Sequence, residues 1–416
     1  MVKAMTDKKR NVPNLRFRGF TETWEQRKLG ELVVQEKNKN KDNQKLPAYS
    51  ISNKQGFVPQ EEQFGEGNTY SKTDKRNNYI VFPHTFAYNP ARINVGSIGY
   101  QNLDSPVLVS SLYEIFRTDE QLDDSFLQEW FKTRLFSDQI QKYQEGGVRQ
   151  YYFFDKLQIS SIQLPIEVKE QKNISQLLKT VDHLLTLNQR KLEQLKLIKK
   201  ALLQKMFADG KNSFPVIRFS GFTNAWEQRK LGDLGSLKNG MNFSKDKMGI
   251  GFPFVNLQDV FGKSIVTKQH LDKAQATDSQ LRTYNLFKGD VLFVRSSVKL
   301  EGVGQAVVVP SDFINTTYSG FLIRFRDQTN LDNKFKSQIF KTRNIRTQIM
   351  SKATDSANKN INQSSLAKLK IVFPSKTEQE KIGKLLEDLD KVITLHQRKL
   401  DQLQKLKKSL LQNMFI

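Results

Sequence analysis

The sequence predicts an α+β protein built as two tandem α+β domains joined by two long helices packed as an antiparallel coiled coil, with internal pseudo-twofold symmetry. Three observations carry that prediction. First, "RFRGFTETWEQRKLGEL" at 16–32 returns as "RFSGFTNAWEQRKLGDL" at 218–234, about 200 residues later. Second, "EQKNISQLLKTVDHLLTLNQRKLEQLKLIKKALLQKMF" at 170–207 aligns without gaps on "EQEKIGKLLEDLDKVITLHQRKLDQLQKLKKSLLQNMF" at 378–415. Third, the blocks between them mix short strand-like and helical runs and diverge in sequence. Two copies of this length fit a duplication better than a solenoid, whose units are much shorter.

Composition narrows the function. The chain has 416 residues, more than one hydrophobic core usually spans. Lys and Arg number 66 against 43 Asp and Glu, giving a net charge of +23, so a polyanion is the natural partner and nucleic acid the leading one. There is no cysteine, which excludes disulfides, thiolate zinc sites and cysteine nucleophiles. No apolar run is long enough for a spanning helix, and "MVKAMTDKKRN" lacks the apolar stretch of a secretory signal, so a cytoplasmic protein without a membrane partner is expected.

The elements follow in order. The opening segments carry Phe17, Phe20, Trp24, Leu29 and Leu32, matched by Phe219, Phe222, Trp226, Leu231 and Leu234. Aromatics can stack on bases. Residues identical in both copies cannot distinguish two targets, however, so an anchoring role is favoured. In the blocks, "YIVF" (79–82), "GDVLFVRSS" (289–297) and "GQAVVVP" (304–310) read as strands, and 123–143 and 332–350 as helical stretches. The long segments carry a seam at spacings of three and four: Leu178, Val181, Leu185, Asn188, Leu192 and Leu195, then Leu386, Leu389, Ile393, His396, Leu400 and Leu403. Such helices are spacers. A compact block between them would return the second beside the end of the first, hence antiparallel.

The repeated Trp-Glu…Leu-Gly segment, a divergent block, then Pro, Glu-Gln-x-x-Ile and a long amphipathic helix, all present twice, resemble the specificity subunit of type I restriction-modification systems. The residues are Trp24, Leu29, Gly30, Pro165, Glu170, Gln171 and Ile174, with Trp226, Leu231, Gly232, Pro374, Glu378, Gln379 and Ile382. The resemblance implies an N-terminal tail at 1–14 and a target-recognition domain at 15–163. A central helical spacer at 164–209, a second recognition domain at 216–372 and a C-terminal spacer at 373–416 follow. Each recognition domain would read one half of a split, asymmetric double-stranded DNA target. The chain itself would be non-catalytic and carry no cofactor. Two methylation subunits and the restriction subunits would supply S-adenosylmethionine, ATP and Mg chemistry.

The residues also speak against chemistry in this chain. There is no G-x-x-x-x-G-K-[ST] run, "YNPAR" (88–92) lacks the aromatic platform of an amino-methylating site, and "EGVGQ" (301–305) lacks a third glycine. His84, His183, His270 and His396 are scattered, so no metal cluster is expected. Two rivals stay open: a self-sufficient nuclease or methyltransferase with a degenerate motif, and a bivalent architectural nucleic-acid binder without enzyme partners.

Base readout should come from the divergent blocks, through Arg toward guanine, Asn or Gln toward adenine, and Lys, Ser and Thr toward phosphates. The candidates in the first block are Lys54, Gln55, Lys72, Lys75, Arg76, Asn89, Arg92, Arg149, Gln150 and Tyr151. In the second they are Asn256, Gln258, Arg295, Ser296, Ser297, Lys299, Tyr318, Lys359 and Asn360. An isolated Lys or Arg among them is usually only a solvated charge on a basic surface.

Overall fold

The computed structural model describes residues 11–53, 55–64, 74–210, 212–354 and 357–416. The chain forms two compact units, Met1–Asn188 with Lys399–Ile416, and Gln189–Arg398. Each is mixed α+β. Two helices of 38 residues, Val168–Lys205 and Lys376–Asn413, run through both units.

In the first unit an antiparallel four-stranded sheet has the order Val33–Gln35, Glu114–Thr118, Phe86–Tyr88, Ile98–Tyr100. Hairpin Tyr49–Ser52/Gly56–Pro59 and the pair Tyr79–Val81/Val107–Val109 pack beside it over Ile51, Val81, Val107 and Ile115. In the second unit the corresponding sheet is Gly235–Asn239, Leu322–Asp327, Val291–Val294, Ala306–Val308. A three-stranded sheet around Met248–Val255 is added there. Central strands such as "VLFV" are buried on both faces and therefore read as unbroken apolar runs.

The opening segments fold alike. Glu25–Lys28 pairs antiparallel with Ser161–Leu164, and Glu227–Lys230 with Lys370–Phe373. Trp24 is 1% exposed and Trp226 3%, so both belong to the core and neither is a stacking platform for bases. Trp24 meets Phe126 edge-on at 6.0 Å while Phe415 packs on Phe126 at 5.1 Å; Trp226 meets Phe335 at 6.3 Å while Phe207 packs on Phe335 at 5.3 Å. The Leu-Gly step has its own reason. A Cβ on Gly30 would lie 3.0 Å from the Gln158 Cβ, and one on Gly232 3.0 Å from the Ala367 Cβ, so glycine lets helices Phe154–Ile159 and Gln363–Ala367 pack closely on this step.

Residues 123–143 and 332–350, read from the sequence as helical stretches, are each two helices meeting at a corner. Asp124–Trp130 is followed by Arg134–Tyr143, and Asn333–Ile339 by Arg343–Lys352. At each corner a buried threonine hydroxyl takes over a backbone carbonyl: Thr133 donates to Trp130 O at 2.6 Å and Thr342 to Ile339 O at 2.7 Å. Side-chain competition of this kind ends helices that periodicity alone would continue.

All twelve seam residues are buried or half-buried. Within the first unit, Leu178 and Val181 share a core with Leu410, Met414 and Phe415, and Asp182 pairs with Lys407 at 2.5 Å. Within the second, Leu386 shares a core with Met206 and Phe207, and Lys199 pairs with Asp390 at 2.5 Å. Asn188, 6% exposed, donates to the Leu184 carbonyl at 2.7 Å, and His396 is half-buried.

Candidate nucleic-acid interface

Two stretches distant in sequence meet at the same place in each unit. In the first unit the buried strand Phe86–Tyr88 runs out into Asn89–Arg92, and the Tyr152 amide donates to the Pro90 carbonyl at 3.0 Å. The chain reaches that point through a loop closed by Glu145 and Tyr151, which exchange both backbone hydrogen bonds at 2.9 and 2.8 Å. In the second unit, Val291–Val294 runs out into Arg295–Lys299, and the Ile361 amide donates to the Arg295 carbonyl at 2.9 Å. Its loop is closed by Thr354 and Asn360 at 2.9 Å.

These junctions gather many of the residues read from the sequence. In the second unit Ser296–Ser297 pairs antiparallel with Lys359–Asn360, and the Ser296 hydroxyl bonds the Asn360 side chain. Arg295 is half-buried with its guanidinium 3.4 Å from the Gly320 carbonyl, and Lys299 is exposed at the end of the ribbon. In the first unit Arg149 and Gln150 are exposed on the loop, Tyr151 stacks on Phe153 at 5.3 Å, and Arg92 is exposed. Asn89 is half-buried and its side chain accepts from the Ala91 amide at 3.0 Å. Gln55 is exposed at the turn of a hairpin whose Ile51 carbonyl accepts from Ser97 at 2.8 Å, near the end of the Arg92 turn.

Others are not brought there. Tyr318 is 0% exposed, belongs to the core, and donates to the Lys238 carbonyl at 3.2 Å; burial pushes its phenol well up. It is a packing residue, not a reader of bases. Its strand has buried neighbours on both sides, which the run "TTYSG" does not reveal. Asn256 and Gln258 flank Leu257, which does lie beside the ribbon, but their side chains are engaged: Asn256 is half-buried and caps the turn at Leu257, and Gln258 is exposed and holds Asp272 at 2.8 Å. Lys75 and Arg76 lie on another loop, fastened to Asn43 and Asp74. Lys54 and Lys72 lie outside the described residues.

Two repeated devices escape the reading from sequence. Arg16 forms a two-point ion pair with Glu170 at 2.7 and 2.8 Å, and Arg218 pairs with Glu378 at the same two distances. The adjacent glutamines complete the clamp: Gln171 donates to Pro165 O and accepts from the Asp123 amide, and Gln379 donates to Pro374 O and accepts from the Asp332 amide. Arg16 and Arg218 occupy the same place in the repeated "RF" and were open to discovery on that ground. The second device is "FKTR", present at 131–134 and 340–343 inside blocks that otherwise diverge. Its lysines face the long helices. Lys132 lies 3.5 Å from Asp182, and Lys341 bonds Ser264 while burial and neighbouring Lys199 push its ammonium down to about 8.

Among the described residues no group of His, Asp and Glu could hold a metal ion, and no helix is long and apolar enough to cross a membrane.

A family model described as the type I restriction modification DNA specificity domain matches residues 21–197 and again 224–405. Over 301 residues the chain is 22% identical to the type I restriction enzyme EcoKI specificity subunit of Escherichia coli (strain K12). That match covers 71% of this chain and 64% of the relative, so the chain spans a little under two thirds of the relative's length. Among solved structures it is similar to the type I restriction-modification S subunit from M. genitalium, with TM-score 0.58 and 15% identity over 97% of this chain and 99% of that one. It is also similar to a chain from a structure of complex assembly and conformational transition in the type I R-M system, with TM-score 0.51 and 14% identity over 93% and 96%. At such identities these two likenesses concern the fold.

Proposed function

Because the chain belongs to the family of type I restriction modification DNA specificity domains, we propose that it is the sequence-specificity subunit of a type I restriction-modification complex. One unit reads each half of a split, asymmetric double-stranded DNA target. The observation that carries this reading is the pair of equivalent junctions. Residues dozens of positions apart in sequence meet beyond the end of a buried sheet strand, in the same topological place in both units, with different side chains in each. A shared frame with unlike reading surfaces suits two unlike half-sites.

The long helices then act as a spacer, packed antiparallel as a coiled coil with pseudo-twofold symmetry. The ion pairs Lys407–Asp182 and Lys199–Asp390 support that arrangement, since numbers rising along one helix meet numbers falling along the other. Half-sites about one helical turn apart, roughly 34 Å, would lie on one side of the duplex. Phosphate contacts from a chain of net charge +23 supply affinity and salt dependence, and base contacts supply choice.

The same proposal assigns catalysis to others: methylation subunits bring S-adenosylmethionine, and restriction subunits bring ATP and Mg. Apolar side chains exposed at matching positions on the two long helices, Leu184 and Leu187 on one and Val392 and Leu395 on the other, suit two copies of one partner. A partner methyltransferase must extract its adenine from the stack to reach it.

The test is selection from random duplexes by the full chain in complex with its partner subunits. A split consensus is expected, and removal of one heptad from both helices should shorten the gap between its halves. Binding indifferent to sequence and lost with salt would overturn the proposal.

A further inference from the structure

An apolar recess sits inside the reading surface of the second unit. It measures about 520 Å³ and is bounded by Leu257, Phe261, Val298 and Phe321, with Ser297 of the polar ribbon on one wall. Val298 is 78% exposed and Phe321 56%. Both stand among groups that hydrogen-bond or carry charge, Val298 between Ser297 and Lys299. Two local contacts fix its walls. A Cβ on Gly302 would collide with the Ser297 hydroxyl, and the Gln305 amide ties two walls by accepting from the Gly262 amide and donating to the Glu301 carbonyl, each at 3.2 Å. Glu301 and Gln305 also line a second recess of about 370 Å³ that contains Lys263, Lys341 and Arg346. An apolar cleft is thus flanked by a basic one.

An exposed apolar cluster on a strongly basic surface has a definite partner on duplex DNA. Along the major-groove edges of the four base pairs every recognition group is a donor or acceptor except the C5-methyl of thymine. We propose that this recess seats the methyl group of a thymine in the half-site read by the second unit, with an adjoining phosphate held by Lys263 and Arg346. The inference rests on the proposed DNA-reading role and names a base that role leaves open. Lys299 fixes the strand by a phosphate contact, Asn360 reads a base edge beside it, and Val298 and Phe321 discriminate thymine from cytosine by covering its methyl.

The test uses the full chain in its complex, bound to duplexes carrying the selected consensus with deoxyuridine replacing each thymidine in turn. Uracil pairs as thymine does and lacks only the methyl. At one position in one half-site the substitution should weaken binding about fourfold, the effect of uncovering one buried methyl. In the Val298→Ser variant, whose exposed side chain carries little of the fold, thymidine and deoxyuridine duplexes should bind alike at that position; Phe321→Leu should reduce the difference partially. A consensus tolerant of uracil at every position, one without thymine in either half, or a difference undiminished in Val298→Ser would overturn the inference while leaving the specificity role intact. Absence of any consensus would overturn both.

Discussion

The two units share their fastenings and differ in what they expose. The clamps agree atom for atom: Arg16 on Glu170 and Arg218 on Glu378 at 2.7 and 2.8 Å, with each carboxylate side chain 1% exposed. At the junctions beyond the sheet the backbone placement still corresponds, but the side chains do not. The first unit presents an exposed loop of Arg149 and Gln150 with a Tyr151–Phe153 stack, and the second a short Ser296–Asn360 ribbon around an apolar recess. The difference teaches that burial, not function alone, dictates what a duplicated fold must repeat. A side chain enclosed by neighbours is constrained by all of them, whereas one facing an outside ligand is constrained only by that ligand.

That contrast can be broken most forcefully at the tryptophans. Trp24→Ala and Trp226→Ala should each cost about 3–5 kcal/mol of stability, read by chemical denaturation of the complex. Equal losses support equivalent anchors, and a loss confined to one copy would show that the two frames are not interchangeable. Next come the clamps. Glu170→Ala and Glu378→Ala each strand a partly covered guanidinium and should cost about 3 kcal/mol, again alike.

The exposed side of the comparison responds differently. Asn360→Ala should leave stability within about 1 kcal/mol and relax choice at one or two base pairs of a single half-site by about tenfold, read by repeating the selection. Relaxation in both halves would contradict the division of labour. The smallest effect concerns pH. Burial and the nearby Lys199 ammonium push Lys341 down to about 8 from an ordinary 10.5. Between those values the unfolded chain holds a proton that the folded chain has released, so this group's contribution to stability rises with pH across that window. The wild type should therefore gain melting temperature relative to Lys341→Met from pH 8 to 10.5, and parallel profiles would deny the burial of this amine.

Much of the frame was legible because it is periodic or repeated. Seam spacing gave the long helices, and an apolar run such as "VLFV" gave a central strand. The corner at "FKTR" was missed because apolar period continues through it while a threonine hydroxyl, invisible to period, stops the helix. Tyr318 was misjudged for a related reason. A tyrosine next to Thr317 and Ser319 looks polar in sequence, and only the layering of Val255 and Leu322 against it makes it core. Ser296 and Asn360 were each weak candidates alone and gain meaning from their pairing.

By itself the sequence determined that the chain is a duplication, that its long helices carry a heptad seam, and that its net charge of +23 favours binding to a polyanion. Those properties reside in order, spacing and summed charge, which need no coordinates. Tertiary structure decided which polar side chains share a surface, that Arg16 and Arg218 close buried clamps, and that Val298 and Phe321 line a recess. Contacts between distant residues depend on how strands turn and layers stack, and a linear pattern does not encode that placement locally.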